Sequence, residues 1–78
     1  MYDIIKHYEE MIEWHTDQIK WYNDQICECN RNIKESKDYA DERFYKRIRG
    51  KYYYQRKKER LMLKRSIEML EMVKITYK

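Results

Sequence analysis

The sequence predicts an all-α protein, an antiparallel two-helix hairpin of coiled-coil type that dimerises into a four-helix bundle. Three observations carry that expectation. Ile5, Ile12, Ile19, Ile26 and Ile33 recur every seven residues, and a strict heptad keeps one seam of a helix turned toward one partner helix. The 78 residues contain no proline and a single glycine, Gly50, so little interrupts helix. Charged residues make up 41% of the chain, but nine Tyr, two Trp and one Phe supply the apolar surface that a disordered chain of such charge lacks.

The first helix is expected over about residues 3–36, with Asp3 as its N-cap. With the isoleucines at heptad position a, position d holds Tyr8, His15, Tyr22 and Cys29. Position g runs from Ile4 and Met11 to Gln18, Gln25 and Asn32, and position c holds His7, Trp14 and Trp21. Together these four columns cover an arc of about 160°. That is the width of a helix touching more than one neighbour.

The heptad fails after Ile33, because Ala40 and Arg47 would occupy the next two a positions. The stretch Ser36-Lys37-Asp38-Tyr39 predicts a turn at about 37–41, with Asp38 capping the second helix and Asp41 in its first turn favouring the helix dipole. Gly50, preceded by Lys46, Arg47 and Arg49, is the rival break. Pairs at i,i+4 such as Lys34/Asp38, Lys37/Asp41 and Glu42/Lys46 would carry helix through the earlier position. Helices of matched length favour the turn at 37–41.

The second helix is then expected over about residues 41–77 of a single domain, 1–78. Its inward stripe reads Phe44, Ile48, Tyr52, Leu63, Ile67, Leu70 and Tyr77, flanked by Met62, Met69 and Val73. The polar run Gln55-Arg56-Lys57-Lys58-Glu59-Arg60 divides that stripe and falls opposite Asp17, Gln18, Asp24 and Gln25, which are expected to answer part of its charge. A hairpin of this size buries few side chains against the entropy of ordering the chain, and small helical hairpins meet that shortfall by dimerising. A homodimer is expected.

Charge is unevenly distributed. Residues 1–42 carry eleven acids and five bases, whereas residues 43–65 carry eleven bases and one acid, Glu59. A basic block of that density implies an acidic surface nearby, within the fold or on a partner. No apolar run approaches the ~20 residues of a membrane span, and the stretch from Met1 to Lys6 lacks the layout of a secretory signal. Cys27 and Cys29 are too close on one helix to bridge each other and read as free thiols of a cytoplasmic protein.

Several chemistries find no residues to carry them. Cys27 and Cys29 point about 200° apart around a helix, and no His or Cys follows Cys29, so with His7 and His15 they make no zinc site. No glycine-rich phosphate loop or nucleophile motif is present, and the acids follow solvent-face spacing, so neither a catalytic residue nor a cofactor is assigned.

The stretch from Phe44 to Lys58 interleaves bases and aromatic rings. Lys and Arg neutralise phosphates while tyrosine faces stack on unpaired bases. Tyr52, Tyr53 and Tyr54 point in three directions, so at least one is exposed, and Lys46, Arg49, Tyr53, Arg56 and Lys57 share one flank at spacings of three, four and seven. The expected partner-binding residues are Lys46, Arg47, Arg49, Lys51, Tyr53, Arg56, Lys57 and Arg60. The competing reading is a solvated helix face balanced by the acidic first helix. Trp14 and Trp21, two turns apart beside the isoleucine seam, are expected either to close the dimer or to anchor a different protein.

Small size with a wealth of Lys, Ile, Glu and Tyr resembles the products of mobile elements from AT-rich genomes. Small proteins of that kind often block a host enzyme, nucleic-acid-guided defence nucleases included. That resemblance implies a phage-type inhibitor, for example of anti-CRISPR kind, bound to a nucleic-acid-handling host protein. The alternative is a direct nucleic-acid binder. A protein target is favoured because the acidic first helix would repel a duplex over much of the surface.

Overall fold

The structure, a computed structural model, describes residues 3–76. It contains two helices, α1 (Ile4–Glu35) and α2 (Tyr39–Thr76), packed antiparallel in a rod 59 Å long and about 16 Å across. The turn is residues 36–38, at the start of the expected window. Helix runs uninterrupted through Gly50, whose backbone is not in the left-handed region. Without a φ that only glycine tolerates, nothing there terminates a helix.

Local chemistry sets the boundaries. Asp3 Oδ1 accepts from the Lys6 amide at 3.1 Å, satisfying one of the orphan donors at the start of α1. At the other end, the Ser36 amide donates to the Ile33 carbonyl, and the Ser36 hydroxyl donates to the Asn32 carbonyl at 2.7 Å. Asp38 Oδ1 then accepts from the Ala40 amide at 3.0 Å, and Asp41 and Glu42 lie in the first turn of α2, where the dipole favours acids. Of the three expected i,i+4 ion pairs only Glu42–Lys46 forms, at 2.9 Å, beside a looser Glu28–Arg31 pair at 3.6 Å.

On α1 the inward columns are a, d and g, all buried or half-buried. Column c is outside: Trp14 is 55% and Trp21 48% exposed, and His7 is exposed as well. The inner arc is therefore narrower than expected. The five isoleucines face α2, with Ile26 buried and the others half-buried.

On α2 the inward face differs from the expected stripe. It consists of two columns with seven-residue steps, Tyr45-Tyr52-Glu59-Ser66-Val73 and Glu42-Arg49-Arg56-Leu63-Leu70, all buried or half-buried. Phe44 (56% exposed) and Ile67 (40%) point to solvent, as do Met62 and Met69; Ile48 is half-buried at the edge, and Tyr77 lies outside the described residues. From the polar middle of α2, Arg56 and Glu59 thus belong to the seam, while Gln55, Lys57, Lys58 and Arg60 are exposed. What makes this tolerable is that Glu59, Arg56 and Arg49 each meet a partner across the seam and Glu42 pairs with Lys46, while no fully buried side-chain N or O among the described residues lacks a hydrogen bond.

The core is one shared layer, with Ile26, Cys29, Leu70 and Val73 its buried apolar members and His15 and Ser66 its buried polar ones. No side chain among the described residues falls below 2% exposure. Two helices offer each residue neighbours on one side only.

Candidate partner-binding surface

Among the described residues, three polar bonds that cross the seam fix its register. His15 Nδ1 donates to Glu59 Oε2 at 2.6 Å, with the His15 side chain 3% exposed; a carboxylate only accepts, so the proton is on Nδ1. Arg56 Nη1 donates to Asn23 Oδ1 at 2.9 Å, and Arg49 Nη1 to Asn30 Oδ1 at 2.7 Å. Asn23 and Asn30 are seven residues apart, as are Arg49 and Arg56, so one contact repeats a heptad later. The expected partners of the polar middle, Asp17 and Asp24, are exposed instead. They lie on the back of α1, and the asparagines at position e face the seam in their place.

Tyr53 sits between the two arginines. The Arg56 guanidinium is 5.2 Å and the Arg49 guanidinium 5.8 Å from its ring centroid, within cation–π range on both sides. Each guanidinium gives one of its five donors to an asparagine and keeps the rest for other acceptors. The result is a guanidinium–ring–guanidinium stack held in place before any partner arrives. Lys46, Lys57 and Arg60 are exposed beside it; Lys46 is paired with Glu42. Arg47 faces away from α1, on the back of α2, and Lys51 is on the far side from the stack, as helix geometry at 100° per residue requires.

Trp14 and Trp21 are also on that far side. The Trp21 ring packs edge-on against Tyr52 at 5.8 Å, and Tyr22 meets Tyr52 at 6.1 Å. Trp21 and Asn23 diverge by about 200° around α1. The tryptophans and the arginine stack therefore occupy opposite long faces of the hairpin, and no single flat partner touches both. With the tryptophans lie Met11, Met62 and Met69, lining a shallow open groove of about 220 Å³ that reaches down to His15 and Ser66. A partner that used the basic stripe together with Trp14 and Trp21 would have to reach around the hairpin, because the Trp21–Tyr52 and Asn23–Arg56 contacts set them on opposite faces.

Both cysteines are free thiols, Cys27 exposed and Cys29 buried. Burial, and secondarily the Glu28 carboxylate, push the Cys29 thiol above its ordinary pKa, against a smaller opposing pull from Arg49. Among the described residues no group of three or more His, Cys, Asp or Glu is placed to share a metal ion, and no helix is long and apolar enough to cross a membrane. In comparisons with protein families, curated proteins and solved structures, none matches the chain.

Proposed function

We propose that this chain is a non-enzymatic interaction module whose α2 ridge docks on an acidic surface of a protein partner. The observation that carries the reading is the Arg49–Tyr53–Arg56 stack, anchored by Asn30 and Asn23. A guanidinium already held by an asparagine and a ring loses little further freedom when it meets a carboxylate, so less ordering entropy opposes binding. Lys57 and Arg60 extend the ridge, and Tyr54 adds an exposed ring on the back of α2.

The compositional likeness to small mobile-element proteins makes the proposed partner a nucleic-acid-handling host protein and the proposed effect inhibition. Direct binding of single-stranded nucleic acid is the second reading, favoured by the same pairing of cations with an exposed ring. Two further parts belong to the proposal. The free thiols suit the reducing cytoplasm, and the exposed tryptophans and methionines support a homodimeric four-helix bundle.

The test is affinity capture from the source cell with the full chain and with a Lys57→Glu/Arg60→Glu variant, which leaves the asparagine bonds intact. Wild type is expected to retain a protein partner after nuclease treatment, and the variant to lose it by about ten-fold or more at unchanged helicity. Release of the partner by nuclease would move the assignment to nucleic acid. Equal capture by both chains would show that the ridge is not the docking surface.

A further inference from the structure

We propose that two copies of this chain pair through the tryptophan–methionine face, about a twofold axis running along the rod, so that α1 of each lies on α2 of the other. This rests on the dimer reading above and adds the face, the axis and the contacts.

The face is apolar toward the chain ends, with Trp14, Met11, Met62, Met69 and Met72, and Trp21 continues it toward the turn beside the half-buried Gln18 and Gln25. Tryptophan is a favoured interface anchor, and methionine side chains adapt to one another across a contact. A face 59 Å by about 16 Å also matches the ~800 Å² per partner that a standard interface buries.

Charge at the two edges selects the occupant. On the α1 edge Glu10, Asp17 and Asp24 form an acidic column with seven-residue steps; on the α2 edge Lys51, Lys58 and Arg65 form a basic column with the same steps. All six side chains are exposed, and none forms an ion pair within the chain among the described residues; Lys58 lies 5.6 Å over the Tyr54 ring. The columns run level. His15 lies against Glu59 and Tyr22 against Tyr52, which sets Asp17 within about one residue, ~1.5 Å, of the height of Lys58. Steps of seven then align Asp24 with Lys51 and Glu10 with Arg65.

Within one hairpin the two columns stand on opposite edges. A twofold axis along the rod brings the acidic edge of each copy onto the basic edge of the other, giving three opposite-charge pairs on each side. It also sets the groove beside Met11 and Met62 against the same groove of the second copy. A twofold axis across the rod would put α1 on α1 and α2 on α2, with like charge facing like along both edges. Electrostatics therefore favours the lengthwise axis. It also leaves both arginine stacks on the outside of the dimer, open to partners.

The test is sedimentation equilibrium of the full chain, of Asp17→Lys, of Lys58→Asp and of an equimolar mixture of the two variants, with helicity checked by circular dichroism. In this dimer each variant alone sets lysine on lysine or aspartate on aspartate twice, whereas the mixed pair restores both contacts. Wild type is expected at twice 10.1 kDa, each variant to associate about ten-fold more weakly or worse, and the mixture to recover as a heterodimer. A dimeric wild type whose variants fail to complement overturns this interface and leaves the dimer reading standing. A monomeric wild type overturns both.

Discussion

The seam of this hairpin changes character along its length. Near the turn, polar and aromatic pairs flank the buried Ile26 and Cys29: Asn30 meets Arg49, Asn23 meets Arg56, and Tyr22 meets Tyr52. Toward the chain ends it is aliphatic, with Ile5 and Ile12 on α1 facing the part of α2 that carries Leu63, Leu70 and Val73. The His15–Glu59 bond marks the boundary. Apolar contacts stabilise without direction, whereas a polar pair inside a seam is satisfied in one register alone. The apolar contacts, buried at Ile26 and Cys29 near the turn and at Leu70 and Val73 toward the ends, thus supply stability along the whole seam, and the polar pairs near the turn set how the helices align. In a core with one layer, that division leaves α2 little freedom to slip by a turn.

The largest effect is expected at the boundary. Replacing His15 by Ala removes a buried ring and leaves the Glu59 carboxylate without its donor in the seam. A loss of about 2–4 kcal/mol in urea unfolding is expected. Replacing both residues by Leu is expected to give a chain as stable as wild type, because two apolar side chains need no partner. If the single change proved harmless, or the double as damaging as the single, the pair would have a different role from the one assigned to it.

A smaller effect separates the two asparagines. Asn23→Ala leaves Arg56 half-buried and short of one acceptor, and about 1 kcal/mol of destabilisation is expected. The Arg49–Asn30 bond is exposed, so water replaces the lost acceptor and Asn30→Ala is expected to move stability by only about 0.5 kcal/mol or less. Equal losses at the two sites would argue against solvent access as the cause of the difference, and the comparison should be made on the same unfolding baseline.

The two helices were unequally legible. The isoleucine heptad and the Asp3 and Asp38 caps are local signals, readable without knowing what packs where, and α1 and both helix starts follow from them. The inward face of α2 was not readable from apolar spacing, because Glu42, Arg49, Arg56, Glu59 and Ser66 occupy it while Phe44 and Ile67 point outward. A signal was present nonetheless. Stepping by sevens from Leu70 or Val73 toward the turn traces both seam columns, and the matched spacing of Asn23/Asn30 with Arg49/Arg56 marks their partners. The grouping of Arg49, Tyr53 and Arg56 on one flank was legible from helical spacing. The separation of Trp14 and Trp21 from that flank was not, since it depends on the rotation of α1 about its own axis, which the asparagine and tyrosine contacts set.

The least perturbing change lies in the polar half, outside the seam. Gly50 is exposed and helical, and a Cβ built on it meets nothing within 4 Å. Alanine there restricts the unfolded chain more than the folded one, so Gly50→Ala is expected to stabilise by about 0.5–1 kcal/mol. The sign is informative. If helix α2 were broken or strained at this position, alanine would destabilise or leave stability unchanged, and the turn-proximal half would have to be treated as a separate segment. A rise in the thermal midpoint with no change in helicity supports one continuous α2 carrying both the arginine stack and the aliphatic end on the same rod.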